Sequence, residues 1–512
     1  MTRIVPYDTA AYEQFCMDLA DEGFNPSPAS PNIWIGPIHA SLKQFTDAEF
    51  MQVRFRDGWP LRYAYVIVEG LRVRHAGSGI VCLWAEDDPA QLAGSTAPGL
   101  WARIDEWADA SANGFDVADQ ALDSFMLFPD LNGYVLEVPL ADLADKTNGY
   151  IAPLTAQVRG QLVQVGADRG NATLRGVFYL RRDIGMPPAS FEELRDMLTR
   201  RQRGDLDRGL AERSAVERDE PSGGYDFVVL AWPRFEQHDV LAVGFEGAGD
   251  TLKVTAYTPS PSDATSRRRR SGPDADLLAP KRVLVAGLGS IGGGVALTLA
   301  ECGVGAIRGH DDDVLKTSNL VRHVLADFAV GYTKSIGLAT EIGGRAPWCD
   351  FDAHPHDLSL DRSRLQAQIA GFDLIIDCTG LFSLTAALSE VCHGLEIPLV
   401  TVALFHQGNI LRIQRQAPGD LPIANRIGAP GYVQIPPDPA TPAQAGFLEV
   451  GCTAYVNNAP PWTSHRAAAD TAATAIDFLI GRRDFPEDQV VVLRPLADKP
   501  FDRVGPVEAE TP

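Results

Sequence analysis

The chain has 512 residues, 45% of them hydrophobic and 22% charged. This length allows about two to four domains with a substantial buried core. The net charge of −22 at pH 7 argues against general binding to nucleic acids or anionic membranes. The sequence contains neither an apolar run long enough to span a membrane nor a signal-peptide core, which predicts a cytoplasmic protein.

Residues 1–130 are predicted to form one domain with helices and strands. Helical sequence over 10–22 opens it. Segments of alternating apolar residues then predict a short antiparallel meander. These segments are 32–38, 50–55 and 63–68.

Cys82 lies where the predicted meander gives way to polar residues, with His75 before it. Catalytic thiols need partial exposure and a lowered pKa, which this position allows. The order of helix, meander, W-P turn and H…G-x-x-C-L resembles the ubiquitin-conjugating family. The family's H-P-N is missing, since His75 is followed by Ala76 and Gly77. A buried strand cysteine is the alternative interpretation.

Residues 131–262 are predicted to form a middle α/β domain, and residues 263–277 a polar linker. A helix is expected over 191–202. The sequence shows no catalytic signature in this domain. Its strands are expected over 175–180, 227–232, 241–245 and 252–257.

A glycine-rich turn gives the most specific pattern of the chain. An apolar run over 283–286 enters Gly287-x-Gly289-x-x-Gly292, and helical sequence over 295–301 follows. Glycines allow a sharp turn and a close approach to a phosphate, and the start of a helix offers free N–H groups. The pattern predicts the strand, phosphate loop and helix of a Rossmann-like domain. Alone, it is weak evidence for a particular function.

Charged residues follow this turn at informative positions. A second predicted strand over 306–309 leads to Asp311-x-Asp313, and an acid at this distance commonly accepts hydrogen bonds from ribose hydroxyls. The run S-N-L-V-R over 318–322 comes next, and then Lys334. Arg offers paired planar donors and Lys a point charge. Both suit a triphosphate better than a nicotinamide.

The sequence of glycine loop, D-x-D, S-N-L-x-R and a later lysine resembles the ubiquitin-activating and ThiF/MoeB adenylation family over 278–415. The resemblance implies that the domain uses ATP and Mg²⁺ to adenylate the C-terminal carboxylate of a small protein, releasing pyrophosphate. It implies that three glycines bind the phosphates, namely Gly287, Gly289 and Gly292. It implies that Asp311 binds the ribose. It also implies roles toward ATP and Mg²⁺ for Asp313, Asn319, Arg322 and Lys334.

One position departs from the family pattern. After the apolar run over 372–376, the family has an Asp that helps to hold Mg²⁺, whereas Gly380 stands here. Asp377 is the nearest carboxylate, and we predict a metal-related role for it. The alternative is that Asp377 only ends the strand and caps the next turn.

Cys452 lies in E-V-G-C-T, at the exit of a Pro- and Gly-rich segment over 417–444 and before helical sequence over 464–481. Related activating enzymes carry a transfer cysteine in a mobile segment. The resemblance therefore implies that the Cys452 thiolate takes the acyl group of the activated partner as a thioester. A packed cysteine is again the alternative.

Together, these features resemble bacterial fusion proteins that join ubiquitin-conjugating-like and ubiquitin-activating-like domains, as in CBASS antiviral operons. The predicted fold class is α/β, with a Rossmann-like ThiF-type adenylation domain over 278–512 and an N-terminal α+β ubiquitin-conjugating-like domain over 1–130. The resemblance implies that a ubiquitin-like partner with a C-terminal glycine passes from Cys452 to Cys82 and then to a target amine. It also implies a homodimer formed by the adenylation domain.

Three alternatives stay open. A ThiF-type adenylating or sulfur-transfer enzyme with an N-terminal binding module would not need Cys82. A nicotinamide-dependent oxidoreductase would leave Asn319, Arg322 and Lys334 unexplained. A non-catalytic scaffold would explain Gly380 but not the retained ATP residues.

Overall fold

A computed structural model describes the chain except for residues 1–3, 74, 78, 85–87, 115–130, 167–172, 183, 185–186, 235–236, 438–446, 449–454, 457 and 510–512. The chain folds into two compact units, Met1–Asp263 and Ala264–Pro512.

The first unit opens with an antiparallel sheet that is preceded in the chain by α1 (Thr9–Asp21) and followed by α2 (Ala97–Asn113). The sheet strands are Asn25–Ser27 (β1), Ser30–Pro37 (β2), Phe50–Arg54 (β3), Tyr65–Ile67 (β4), Ala76–Gly77 (β5) and Ile80–Val81 (β6). They are ordered β1-β2-β3-β4-β6-β5. Phe15 of α1, Val53 of β3 and Trp107 of α2 share one buried core. This arrangement of helix, meander and helix agrees with the α+β prediction.

The rest of the first unit is built around a closed seven-stranded barrel. Its strands are Leu131–Val138 (β7), Ile151–Arg159 (β8), Leu162–Val165 (β9), Leu174–Leu180 (β10), Phe227–Arg234 (β11), Gln237–Glu246 (β12) and Lys253–Pro261 (β13). They are ordered β10-β11-β12-β13-β7-β9-β8, and β8 pairs back to β10. The described residues of this region also form the helices α3 (Leu140–Ala144), α4 (Phe191–Met197) and α5 (Arg200–Ala211).

Alternate residues of the barrel strands enter two different cores, as the two-residue period of a strand requires. Phe178 and Val229 lie in one core, while Tyr179 and Val228 lie in the other with Leu194 of α4. Both faces of these strands are therefore buried. The expected mixture of strands and helices is present, but the closure into a barrel was not predicted.

The second unit contains an eight-stranded sheet and, apart from it, a two-stranded one. The large sheet consists of Arg282–Ala286 (β14), Ala306–His310 (β15), Asp350–His354 (β16), Leu374–Asp377 (β17), Leu399–Phe405 (β18), Ile410–Gln416 (β19), Asp488–Val492 (β22) and Gly505–Val507 (β23). The small sheet pairs Phe447–Leu448 (β20) with Tyr455–Val456 (β21). The large sheet is ordered β16-β15-β14-β17-β18-β19-β22-β23. Its first five strands are parallel, and the chain order reverses between β14 and β17. Ligands of open α/β sheets bind at such a reversal.

Helices cover both faces of this sheet. The helices of the second unit, within the described residues, are α6 (Ala264–Arg268), α7 (Ala275–Leu278), α8 (Gly292–Glu301), α9 (Lys334–Arg345), α10 (Arg362–Ile369), α11 (Phe382–Leu395) and α12 (Pro461–Leu479). Val283 and Val285 of β14 lie in the core with residues of α8, α9 and α12, whereas Leu284 lies in the core with residues of α10 and α11. Within the described residues, no helix has both the length and the apolar character needed to cross a membrane.

Two local predictions differ from the structure. The helix expected over 191–202 is two helices, because Leu198 is extended and Thr199 caps α5, its hydroxyl accepting the N–H of Gln202. The segment 263–277, expected as a linker, contains α6 and part of α7. Arg267 in this segment donates to the carbonyl of Gly344 (2.6 Å), so the part of the segment that follows Asp263 packs within the second unit.

Candidate active site

The glycine loop connects β14 to α8 at the edge where the chain order reverses. Gly287 has a φ of +76°, and a Cβ there would lie 3.0 Å from the backbone of Thr379. A Cβ on Gly292 would lie 1.8 Å from the carbonyl oxygen of Gly287. Gly289 differs, because a Cβ there would meet nothing within 4 Å. Two glycines therefore shape the loop, and the third leaves its surface open to a ligand.

The Asp311 carboxylate holds this loop in place. Asp311 follows β15 directly and is only 8% exposed. Its Oδ2 accepts the N–H of Leu288 (2.7 Å), and its Oδ1 accepts the N–H of Asp313 (2.9 Å). The predicted ribose ligand therefore also connects the glycine loop to the loop after β15.

Lys334, the first residue of α9, places a buried ammonium beside two acids. Its Nζ lies 2.6 Å from Asp313 Oδ2 and 3.6 Å from Asp311 Oδ1. These acids also interact electrostatically with the carboxyl group of Asp357. Burial, and then the carboxylates of Asp312, Asp311 and Asp313, raise the pKa of Asp357. The site thus joins one buried cation to a group of acids at the ends of the parallel strands.

Asn319 and Arg322 belong to a single turn. The N–H of Arg322 donates to the carbonyl of Asn319 (3.1 Å). The side-chain Oδ1 of Asn319 accepts the N–H of Lys316 (3.0 Å), which closes the turn from the other side. Asn319 therefore shapes the backbone that carries Arg322, whose side chain is half-buried.

His323 joins this turn to the glycine loop, and the sequence interpretation did not include it. Its Nε2 donates to the carbonyl of Leu288 (2.8 Å), and its Nδ1 accepts the N–H of Leu325 (3.1 Å). Burial lowers the pKa of His323, which agrees with this neutral form. Its place directly after the S-N-L-V-R run was the signal that could have identified it.

Asp377 ends β17 and is 1% exposed. Its Oδ1 accepts from the N–H (3.0 Å) and the hydroxyl (2.6 Å) of Thr379, and its Oδ2 accepts the hydroxyl of Thr385 (2.5 Å). These bonds fix the turn between β17 and α11, as the capping interpretation expects. Gly380 in that turn has a φ of +68°. The metal-related role of Asp377 stays a prediction.

The described residues offer no ready Mg²⁺ site. Nowhere among them do three or more His, Cys, Asp or Glu side chains form a group suited to a metal ion. Asp313 is paired with Lys334, and Asp377 is bonded to threonine hydroxyls. Because Mg²⁺ in nucleotide sites is usually bound by one or two carboxylates together with the substrate phosphates, a metal role for Asp313 or Asp377 stays a prediction.

The glycine loop and Lys334 suit a nucleoside triphosphate. The surface of Gly289 is open, and the glycine loop leads into the first turn of α8. Helix N-termini of this kind bind phosphates through backbone N–H groups. Lys334 provides a fixed charge next to this loop.

The two candidate transfer cysteines lie in different units. Cys82 follows β6 and is half-buried, and its N–H donates to the carbonyl of His75 (2.9 Å). His75 is 6% exposed and has a φ of +58°. Cys452 lies outside the described residues.

A turn between β18 and β19 contacts both flanks of the segment 437–458, which contains Cys452. His406 and Gln407 of this turn have φ angles of +52° and +55°. The Nε2 of His406 donates to the carbonyl of Pro436 (3.0 Å). At Gly408, a Cβ would lie 2.8 Å from the side chain of Ala459. The segment therefore begins and ends beside one turn.

The sheet order, the glycine loop at the reversal point and the acids after β15 define a doubly wound nucleotide-binding domain. Residues 270–453 match the ThiF family. The second unit therefore contains a ThiF-type domain, and the predicted resemblance to the ThiF/MoeB family is confirmed.

Three curated relatives resemble this part of the chain. The SAMP-activating enzyme E1 of Haloferax volcanii is 33% identical over 179 residues, covering 34% of this chain and 64% of that protein. The molybdopterin-synthase adenylyltransferase of Escherichia coli is 33% identical, covering 25% and 51%. The ATP-dependent ubiquitin transferase-like protein Cap2 of Vibrio cholerae is 28% identical, covering 34% and 30%. The chain thus spans less than two thirds of each relative.

Proposed function

We propose that the chain activates the C-terminal carboxylate of a ubiquitin-like partner with ATP and conjugates the partner to a target amine. The observation that carries this proposal is the buried Lys334 beside Asp311 and Asp313 at the glycine loop of a ThiF-type domain. The names of the relatives, an activating enzyme, an adenylyltransferase and a ubiquitin transferase-like protein, support the same chemistry.

Within this proposal, bound ATP supplies the adenylyl group that activates the partner's carboxylate, and pyrophosphate leaves. The glycine loop binds the phosphates through backbone N–H groups. Asp311 accepts hydrogen bonds from the ribose while its buried position keeps the loop in place. Arg322 and Lys334 stabilise negative charge on the triphosphate. Asn319 holds the turn that presents Arg322.

The proposed transfer uses two thiolates in turn. The Cys452 thiolate attacks the activated acyl carbon and AMP leaves, so that a thioester forms on this chain. The Cys82 thiolate then displaces Cys452, which leaves as a thiolate. Finally, the target amine attacks the Cys82 thioester and loses a proton, so that an amide forms and Cys82 leaves as a thiolate. The half-buried position of Cys82 after β6 supports its assignment, because a reactive thiol must be reached by its partner.

A second candidate is a ThiF-type adenylating or sulfur-transfer enzyme whose first unit only binds a partner. The burial and left-handed backbone of His75 favour it, because they point to a structural role for the histidine nearest to Cys82 in the sequence. This candidate shares the ATP site and differs at Cys82.

We also propose that the second unit forms a homodimer. Apolar side chains are exposed along a segment that we call the 314–336 segment, between β15 and the first turn of α9. They are Val314, Val321, Phe328, Tyr332 and Ile336. Large apolar side chains exposed close together in the sequence support an interface, because extended apolar surfaces commonly mark protein contacts.

Calorimetry with ATP and with NAD tests the nucleotide assignment. We expect ATP to bind and NAD to bind weakly or not at all, because Arg322 and Lys334 suit phosphates.

Arg322→Ala should reduce ATP–pyrophosphate exchange by at least about tenfold, since a charge-assisted hydrogen bond contributes about 1.5–3 kcal/mol. Arg364→Ala, on the first turn of α10, is the control and should leave the exchange unchanged. Tight binding of NAD without ATP affinity would refute the proposal.

A further inference from the structure

The backbone of Leu288, in the middle of the glycine loop, is held at both of its polar groups. Its N–H donates to Asp311 Oδ2 (2.7 Å), and its carbonyl accepts the Nε2–H of His323 (2.8 Å). Asp311 is named in the family pattern, whereas His323 is not. The histidine nevertheless provides half of the side-chain support of this residue's backbone.

The His323 ring can make its bonds in one protonation state only. Nε2 must carry a proton to donate to Leu288, and Nδ1 must be free of one to accept the N–H of Leu325 (3.1 Å). A cationic ring would direct a second N–H at the N–H of Leu325. The ring is 8% exposed and packs against the first turn of α8, where a Cβ on Gly293 would lie 3.3 Å from its Cε1.

The backbone of His323 belongs to the turn that carries Arg322. Its N–H donates to the carbonyl of Asn319 (3.0 Å), the same oxygen that accepts the N–H of Arg322. One residue therefore contacts the glycine loop, the first turn of α8 and the Arg322 turn. Any movement of the ring would shift these parts relative to one another.

We propose that His323 is a positioning residue of the nucleotide site. It fixes the glycine loop and the Arg322 turn relative to each other, so that the loop N–H groups and the guanidinium meet the same triphosphate. The inference rests on the proposed ATP site and adds a specific requirement to it: residue 323 must offer one donor and one acceptor at the separation of the two imidazole nitrogens.

Two substitutions separate this requirement from simple packing. His323→Gln retains one amide donor and one amide acceptor, whereas His323→Leu fills similar space with neither. We expect His323→Leu to weaken ATP binding in calorimetry by at least tenfold and His323→Gln to stay within threefold of the wild type. A purely structural role would lower the melting temperature without changing the ATP affinity of the folded protein. His323→Asn, whose shorter amide cannot reach both partners, replaces the leucine variant if that variant does not fold.

Wild-type ATP affinity in His323→Leu, or an equal loss in His323→Gln, would overturn the inference. Hydrogen exchange of the loop amides over 288–292, measured without nucleotide, separates it from the proposed function. If the wild type does not bind ATP, the proposed function fails. The hydrogen exchange of the loop amides then tests on its own whether His323 holds the glycine loop in place. Faster exchange in His323→Leu but not in His323→Gln supports the role, and equal exchange in all three proteins overturns it.

Discussion

His310, the last residue of β15, is buried with one ring nitrogen unsatisfied. Its Nδ1 donates to the carbonyl of His356 (3.1 Å), while Nε2 has no hydrogen-bond partner among the described residues. The His354 ring lies 4.7 Å away. A proton on Nε2 would thus be buried without an acceptor. Burial, opposed by the bond to His356 and reinforced by His354, lowers the pKa of His310 from 6.5 to about 4.

This geometry predicts a loss of stability in mild acid. The unfolded chain binds a proton at His310 below about pH 6.5, whereas the folded chain binds it only near pH 4, so stability is complete above 6.5 and falls between these values. We expect His310 to account for about 2 kcal/mol of the loss between pH 7.5 and 5.

Urea unfolding at both pH values measures this loss. His310→Gln should remove that part of the pH dependence, and the exposed His393→Gln serves as the control. An unchanged pH dependence in His310→Gln would contradict the assignment.

The sequence predicted which residues lie beside the glycine loop better than it predicted what they bond to. The order of motifs located Asp311 and Lys334, because spacing along a strand–loop–helix unit determines their place at the sheet edge. Nothing in the sequence indicated that Asp311 would accept the N–H of Leu288, or that Asn319 would bond Lys316. Such bonds depend on how separate loops approach each other in the folded chain.

At the scale of elements, short-range patterns were predicted and long-range pairings were not. The strand, glycine turn and helix at β14 and α8 were recognisable because all their signals lie within one stretch of chain. The barrel was missed because β7 pairs with both β9 and β13, and β13 lies far along the chain. The break at Leu198 was missed because one extended residue hardly alters an apolar pattern.

The structure of the glycine loop predicts that the same substitution, Gly to Ala, will affect stability at one position and not at another. Gly292→Ala should lower the free energy of unfolding by about 1–3 kcal/mol, because its methyl group would lie 1.8 Å from the Gly287 carbonyl oxygen. Gly289→Ala should change it by less than about 0.5 kcal/mol, because its methyl group meets nothing within 4 Å.

Gly289→Ala should bind ATP more weakly than the wild type while its free energy of unfolding stays unchanged. The reason is that the added methyl group occupies the surface that we assign to the phosphates. Urea unfolding and calorimetry measure the two properties separately. Wild-type ATP affinity in Gly289→Ala would place the phosphates elsewhere.

At the scale of the whole molecule, the sequence resemblance predicted a ThiF-type domain. The match of residues 270–453 to the ThiF family confirms it. The conjugating role of the first unit stays a prediction. Its helix, meander and half-buried Cys82 are compatible with that role, but an antiparallel meander is common to many folds.

Light scattering tests the proposed dimer. Val321 is 74% exposed, and Val321→Asp would place a charge in the 314–336 segment. We expect this variant to be monomeric at a concentration where the wild type is dimeric, because burying an unpaired charge is unfavourable. Leu360→Asp, at a 60% exposed position outside the segment, is the control and should stay dimeric. A monomeric wild type with full adenylation activity would refute the dimer.

Non-reducing gels with partner, ATP and Mg²⁺ test the order of the two thiols. Cys452→Ala should activate the partner but form no thioester, and Cys82→Ala should retain a reductant-sensitive thioester on Cys452. Cys16→Ala, another half-buried cysteine of the first unit, should behave like the wild type. Conjugation by Cys82→Ala at the wild-type rate would make the second candidate function correct.

The turn between β18 and β19 has a consequence for how the Cys452 segment can vary. Since His406 contacts Pro436 and Gly408 packs on Ala459, both ends of this segment are anchored beside one turn. Closing a loop between neighbouring anchors costs only about 0.6 kcal/mol more for each doubling of its length. Insertions and deletions between these anchors should therefore leave the eight-stranded sheet intact. If Cys452 carries the acyl group as proposed, the length of this segment would set the reach of its thioester independently of the nucleotide site.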